Sequence, residues 1–224
     1  MSQWELIIDC GQGVALYRQK KLASTEQSEL FRLEKAVNQC AIQILASPDS
    51  VGVRYNLANA CNNFGLALRA QGKLDAAQAQ FHEALRTHPS FWQAFFNQGL
   101  VLEAQNKLEA ATAHFREALR LNPNYALVRP SFANCLNNYG LNLRAQSKLK
   151  EAQAVFKEAI ATDATYWQAR YNLGLVLESL ALPVEAVAQY SETLRLKPDY
   201  APARAQIDLL LKTLGQPGSS KSHP

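Results

Sequence analysis

Small, apolar and aromatic residues return along this chain at fixed intervals, and the intervals are long ones. Four glycines sit in short segments of the form N-x-G-L: Asn63-Phe64-Gly65-Leu66, Asn97-Gln98-Gly99-Leu100, Asn138-Tyr139-Gly140-Leu141 and Asn172-Leu173-Gly174-Leu175. Twelve residues after each glycine stands an alanine (Ala77, Ala111, Ala152, Ala186), and four further on an aromatic ring (Phe81, Phe115, Phe156, Tyr190). A proline closes three of the four units, at Pro89, Pro123 and Pro198, and Ala164 fills that slot in the other. Gly65 to Gly99, and Gly140 to Gly174, is a step of 34 residues. A unit of that length with small–aromatic–small punctuation predicts two antiparallel helices joined by a short turn. Glycine and alanine serve where backbones approach closely, the ring fills the gap, and proline stops the second helix.

These residues and spacings resemble the tetratricopeptide repeat family, with Gly, Ala, aromatic and Pro at the family's signature offsets in successive units. The repeats fall at 58–91, 92–125, 133–166 and 167–200. The family's usual tryptophan position is held by Cys61, Phe95, Leu136 and Arg170 instead. The resemblance implies an all-α, right-handed solenoid of antiparallel helix pairs. A longer period overlies the first. Residues 51–125 align with 126–200 without a gap, identical at 38 of the 75 positions, so a pair of repeats is duplicated. Gly99 to Gly140 spans 41 residues, and the seven extra residues precede the first helix of the repeats at 58 and 133. Seven residues add about 10 Å of helix. Pro130 suits the first turn of a helix better than its middle, so the second extension is expected to start late or kink.

The remainder reads as ends of the same array, giving a single solenoid over 1–214. Residues 4–50 look like a degenerate repeat: Gly13 and Tyr17 suit a first helix, and Ala36, Cys40 and Pro48 match the later Ala, aromatic and Pro slots. Between them runs a polar stretch, Ser24 to Glu29, suited to a helix N-terminus. Residues 201–214 carry Ile207, Leu210, Leu211 and Leu214 at helical spacing, which predicts a capping helix. Residues 215–224 lack apolar periodicity and read as a disordered tail.

Composition narrows the function classes. With 48% hydrophobic and 19% charged residues and a net charge of +4, interleaved with acids, the 224-residue chain suits a soluble protein without a strong pull towards nucleic acid. No apolar run approaches the ~18 residues of a membrane span, and no basic n-region precedes an apolar core, so a cytoplasmic location is expected. The four cysteines, Cys10, Cys40, Cys61 and Cys135, have no CxxC spacing, so neither a disulfide framework nor a zinc knuckle is expected. The four histidines, His82, His88, His114 and His223, have no ligand at i+3 or i+4, and no phosphate-binding glycine loop occurs. These residues predict no metal, no cofactor and no catalysis.

In the tetratricopeptide family the first helices line the concave surface. The positions implied here are Asn59, Asn62, Asn63, Leu66 and Arg69, then Phe96, Asn97, Leu100 and Glu103. The second copy repeats them as Asn134, Asn137, Asn138, Leu141 and Arg144, then Tyr171, Asn172, Leu175 and Glu178. A carboxamide offers a donor and an acceptor together, matching a peptide backbone of any sequence. Asn63, Asn97, Asn138 and Asn172, one per repeat, resemble the asparagine ladder in the repeat domain of O-linked N-acetylglucosamine transferases; the alternative is that they bridge neighbouring helices. The Lys positions of a two-carboxylate clamp hold Asn or Gln, which argues against capture of chaperone tails. Trp92 and Trp167 open equivalent repeats and serve either as packing or as a partner site. The expected function is a non-catalytic adaptor or assembly factor binding an extended peptide segment of a protein partner. The alternatives are a self-associating scaffold, dimeric through the leucine-rich C-terminal helix, and a targeting module for a separately encoded enzyme.

Overall fold

The computed structural model describes residues 4–9, 15–19 and 25–214. Within them lie two short strands, β1 (Trp4–Asp9) and β2 (Ala15–Gln19), and ten helices. The helices are α1 (Thr25–Ala46), α2 (Val51–Ala70), α3 (Leu74–Thr87), α4 (Trp92–Ala104), α5 (Leu108–Leu121), α6 (Val128–Ala145), α7 (Leu149–Thr162), α8 (Trp167–Ser179), α9 (Pro183–Leu196) and α10 (Ala201–Leu214). The chain divides into two compact units at residue 125, the boundary of the internal duplication.

Each unit is built from first-and-second helix pairs: α2 with α3 and α4 with α5 in unit 1, α6 with α7 and α8 with α9 in unit 2. The glycines explain the closeness of the pairs. A Cβ added at Gly65 would lie 2.6 Å from the Phe81 ring, and one at Gly174 would lie 2.4 Å from the Tyr190 ring. Real carbons do not approach so closely, so the ring fits only because its partner helix carries no side chain there. Phe81, Phe115, Phe156 and Tyr190 are all fully buried, as are Ala77, Ala111, Ala152 and Ala186. The turns inside the pairs bring Gly72, Asn106, Ser147 and Ala181 to positive φ, between 57° and 71°.

The extended helices differ as Pro130 predicts. The first, α2, starts at Val51, with Ser50 accepting a hydrogen bond from the Val53 amide. In the second copy α6 starts at Val128, two residues later by the alignment, and places Pro130 in its first turn, where no amide donor is needed.

The first fifty residues depart from the degenerate-repeat expectation. Where a first helix was expected at Tyr17, the chain forms an antiparallel hairpin, Trp4 opposite Gln19 and Leu6 opposite Tyr17, with an irregularity between Leu6 and Ile8. Two short runs, WELIID and ALYRQ, flank a five-residue segment with two glycines, which is hairpin grammar rather than helix grammar. Gly13, Cys10 and the tail 215–224 lie outside the described residues. The strand β2 lies against α1. In α1 the buried apolar residues are Leu30, Val37, Ala41 and Ile44, whereas Ala36 and Cys40, matched by sequence to the packing slots, are half-buried. With no first helix to pack against, α1 turns a neighbouring face onto α2.

The last helix, α10, continues the first-helix pattern. Ala203 is buried like Ala169, its counterpart 34 residues earlier, but Asp208 stands where Gly174 stood. The outward side of α10 carries Arg204, Asp208 and Lys212, while Leu209, Leu211 and Leu214 are 56%, 53% and 47% exposed.

Candidate functional site

The asparagines on the first helices fall into three structural groups. Asn62 on α2 and Asn97 on α4 are joined: Asn97 Nδ2 donates to Asn62 Oδ1 at 2.8 Å. Unit 2 repeats the arrangement, with Asn172 Nδ2 of α8 donating to Asn137 Oδ1 of α6 at 2.7 Å. Asn62, Asn97 and Asn137 are only 5%, 7% and 6% exposed, and Asn172 is half-buried. Burying a carboxamide without partners is costly, so pairing two of them across a helix interface is a stable way to place them there. Each bond uses one N–H of the donor and the carbonyl of the acceptor. The Asn62 amino group and the Asn97 carbonyl, with their counterparts on Asn137 and Asn172, are not among the enclosed atoms without partners, so they reach the surface.

Asn59 and Asn63 are exposed, in line with each other one turn apart on α2. Asn134 is exposed and accepts a hydrogen bond from the Tyr166 hydroxyl at 3.0 Å, and Asn138 is half-buried. The ladder read from sequence therefore includes two interhelical bridges. Sequence reasoning matched Asn97 to Asn63; the structure pairs it with Asn62, one position earlier on the preceding first helix. Nothing in a repeat alignment reports that diagonal step.

The aromatic members sit deeper than a contact surface requires. Phe96 is 9% exposed, its ring 5.7 Å from Phe115 and 5.9 Å from Tyr125. Its counterpart Tyr171 is half-buried between Tyr190 (5.5 Å) and Tyr200 (5.0 Å). Trp92 packs on Tyr125 with ring centres 4.4 Å apart, and Trp167 on Tyr200 at 4.7 Å. Each tryptophan is half-buried against the tyrosine that closes its own repeat. Those tyrosines were not singled out from sequence, although both occupy the last position of a repeat.

The charged members are half-buried. Arg69 lies on α2 with its Nη1 enclosed and without a hydrogen-bond partner. Glu103 is half-buried on α4. In unit 2, Arg144 lies close enough to Tyr171 and Tyr190 to favour their ionised forms slightly, and Glu178 accepts the Tyr190 hydroxyl. Burial first, then the Glu178 carboxylate, push the Tyr190 phenol far above its ordinary value.

Among the described residues no cluster of three or more His, Cys, Asp or Glu is arranged to hold a metal. The buried Cys61 thiol is pushed up strongly, chiefly by desolvation and then by Glu83, which makes it a poor nucleophile. Among the described residues no helix is long and apolar enough to cross a membrane.

A family model described as tetratricopeptide repeat matches residues 62–126 and 140–201. Among solved structures, YrrB, described as a TPR protein with an unusual peptide-binding site, is 20% identical with a TM-score of 0.52, over 80% of this chain and 85% of that one. MamA is 21% identical with a TM-score of 0.53, over 70% of this chain and 82% of that one. The MamA of Desulfovibrio magneticus RS-1 is 16% identical with a TM-score of 0.50, over 70% and 85%. No curated protein sequence matches the chain. The likeness to the transferase ladder rests on the asparagine positions alone.

Proposed function

The chain belongs to the tetratricopeptide repeat family, and on that premise we propose that it is a non-catalytic adaptor whose first helices hold an extended segment of a protein partner. The observation that carries this reading is the duplicated amide pair. Asn62–Asn97 and Asn137–Asn172 are set with the same polarity in both units. Each leaves a donor on one helix and an acceptor on the next, the complement of a peptide group's C=O and N–H. A scaffold bridge needs only the bond between the two side chains. Exposed Asn59 and Asn63 extend the same chemistry along α2. The peptide-binding site named for YrrB gives a precedent for such a ligand on a similar fold.

The test replaces both members of each pair, Asn62→Leu, Asn97→Leu, Asn137→Leu and Asn172→Leu together, because removing one would strand the other. A displayed decapeptide library selected on the native chain is expected to yield binders that the variant, with unchanged helicity, no longer retains. Equal retention by a folded variant rejects the groove.

Self-association through α10 is a second reading, favoured by the exposure of Leu209, Leu211 and Leu214. It ranks lower because Arg204, Asp208 and Lys212 occupy the middle of the outward face and separate the leucines. A monomer mass in dilute solution, unchanged on concentration, eliminates it.

A further inference from the structure

We propose that each amide pair works with an arginine two turns along the same helix, so that the bound segment carries a carboxylate: Arg69 receives it in unit 1 and Arg144 in unit 2. The proposal rests on the peptide groove argued above and names the chemistry of its ligand.

Arg69 follows Asn62 by seven residues, and Arg144 follows Asn137 by seven. Seven residues are about two helical turns, so each arginine lies on the same side of its helix as the amide, about 10 Å away. An extended chain advances about 3.3 Å per residue, which puts that distance within reach of a side chain one to three positions from the clasped peptide group. The two arginines are retained in both copies although about half of the aligned positions have diverged.

Three arginines of the second helices are paired with acids, whereas Arg54, Arg170 and Arg204 reach backbone carbonyls. On the second helices Arg86, Arg120 and Arg195 each pair with a glutamate three residues earlier, Glu83, Glu117 and Glu192. Arg69 and Arg144 have glycine or leucine at those offsets: Gly65 and Leu66, Gly140 and Leu141. Among the described residues no carboxylate pairs with Arg69. In unit 2 the acid that could serve Arg144, Glu178, accepts the Tyr190 hydroxyl instead. A half-buried guanidinium without a partner is an incomplete arrangement, and a carboxylate is its best-fitting complement, planar and bidentate. The neighbouring surface gives the ligand its backbone contacts, so the combined requirement is an extended acidic segment rather than a free anion.

The experiment uses the full chain and two acetylated, amidated decapeptides of alternating Ser and Ala, one with a single central Asp and its twin with Asn. Fluorescence polarisation is expected to show the Asp peptide binding about tenfold tighter at low salt, as suits one charge-assisted contact, with the gap narrowing at high ionic strength. In Arg69→Gln/Arg144→Gln the preference is expected to vanish, the Asp peptide binding no tighter than its Asn twin. Equal affinity of the native chain for the twins overturns the carboxylate and leaves the amide groove standing. Binding of neither twin counts against the groove itself and removes this proposal with it. Loss of both peptides in a folded double variant also overturns it, since the arginines would then be supporting the groove rather than reading charge.

Discussion

The two units share a framework and differ in what they bury. In unit 1, Gln80 and Gln98 are 8% and 5% exposed, and each has an enclosed Oε1 without a hydrogen-bond partner; His114 has an enclosed Nδ1 in the same condition. Their counterparts in unit 2 are Val155, Leu173 and Gln189, and Leu173 is 2% exposed. In unit 2 Tyr190 stands in place of Phe115 and donates its hydroxyl to Glu178, and the enclosed polar atom without a partner is Arg170 Nε. The duplicated fold thus has the same glycine-to-ring joints in both halves while its buried polar atoms differ in position and partner. Packing joints tolerate no drift, whereas a buried amide reduces stability without changing shape.

The glycine joints are where that comparison breaks most easily. Gly174→Ala meets the Tyr190 ring at 2.4 Å, whereas Gly99→Ala meets Phe115 at 2.9 Å. The first should cost about 3 kcal/mol and the second about 1 kcal/mol, on the scale of overpacked cores. Denaturant titration of both variants checks the order, and equal costs would show that the pairs open freely to admit a methyl group.

The interiors come next. Gln98→Leu imports the residue unit 2 carries and should stabilise the protein by about 1–2 kcal/mol, the cost of an unsatisfied buried polar atom; Leu173→Gln should do the opposite. A destabilised Gln98→Leu would mean that the amide has a partner, such as water, inside unit 1.

The smallest effect is one of pH. Burial pushes the His114 imidazole below its ordinary 6.5, so the unfolded chain takes up its proton first. Stability is whole above that value and falls as pH drops through it, levelling once the folded imidazole is also protonated. Melting temperatures between pH 7.5 and 5 should decline less in His114→Gln, which installs unit 2's Gln189. Parallel profiles would remove His114 as the source.

Much of this fold was legible because its rules are local and repeated. Gly65, Ala77 and Phe81 announce a helix pair at fixed spacing, and Pro130 announces the late start of α6. The hairpin escaped because repeat reasoning carried a helical period into a segment that alternates differently, even though its two glycines marked a turn. The rotation of α1 escaped because which face a helix buries depends on a neighbour, and the expected neighbour was missing. At the candidate site residue types were legible, and their depth was not. Phe96 belongs to the core, and the bonds between Asn97 and Asn62 and between Asn172 and Asn137 cross between repeats at positions that no single repeat reveals.

Asp208 gives α10 a side chain where the other first helices carry the glycine that seats a ring. Wherever a glycine sits on a first helix, a second helix can seat its ring and the stack can gain a member. On α10 the same site presents a carboxylate, exposed and charged. A ring arriving there would have to displace that side chain and desolvate its carboxylate, so α10 offers no socket of the kind that Gly174 offers Tyr190.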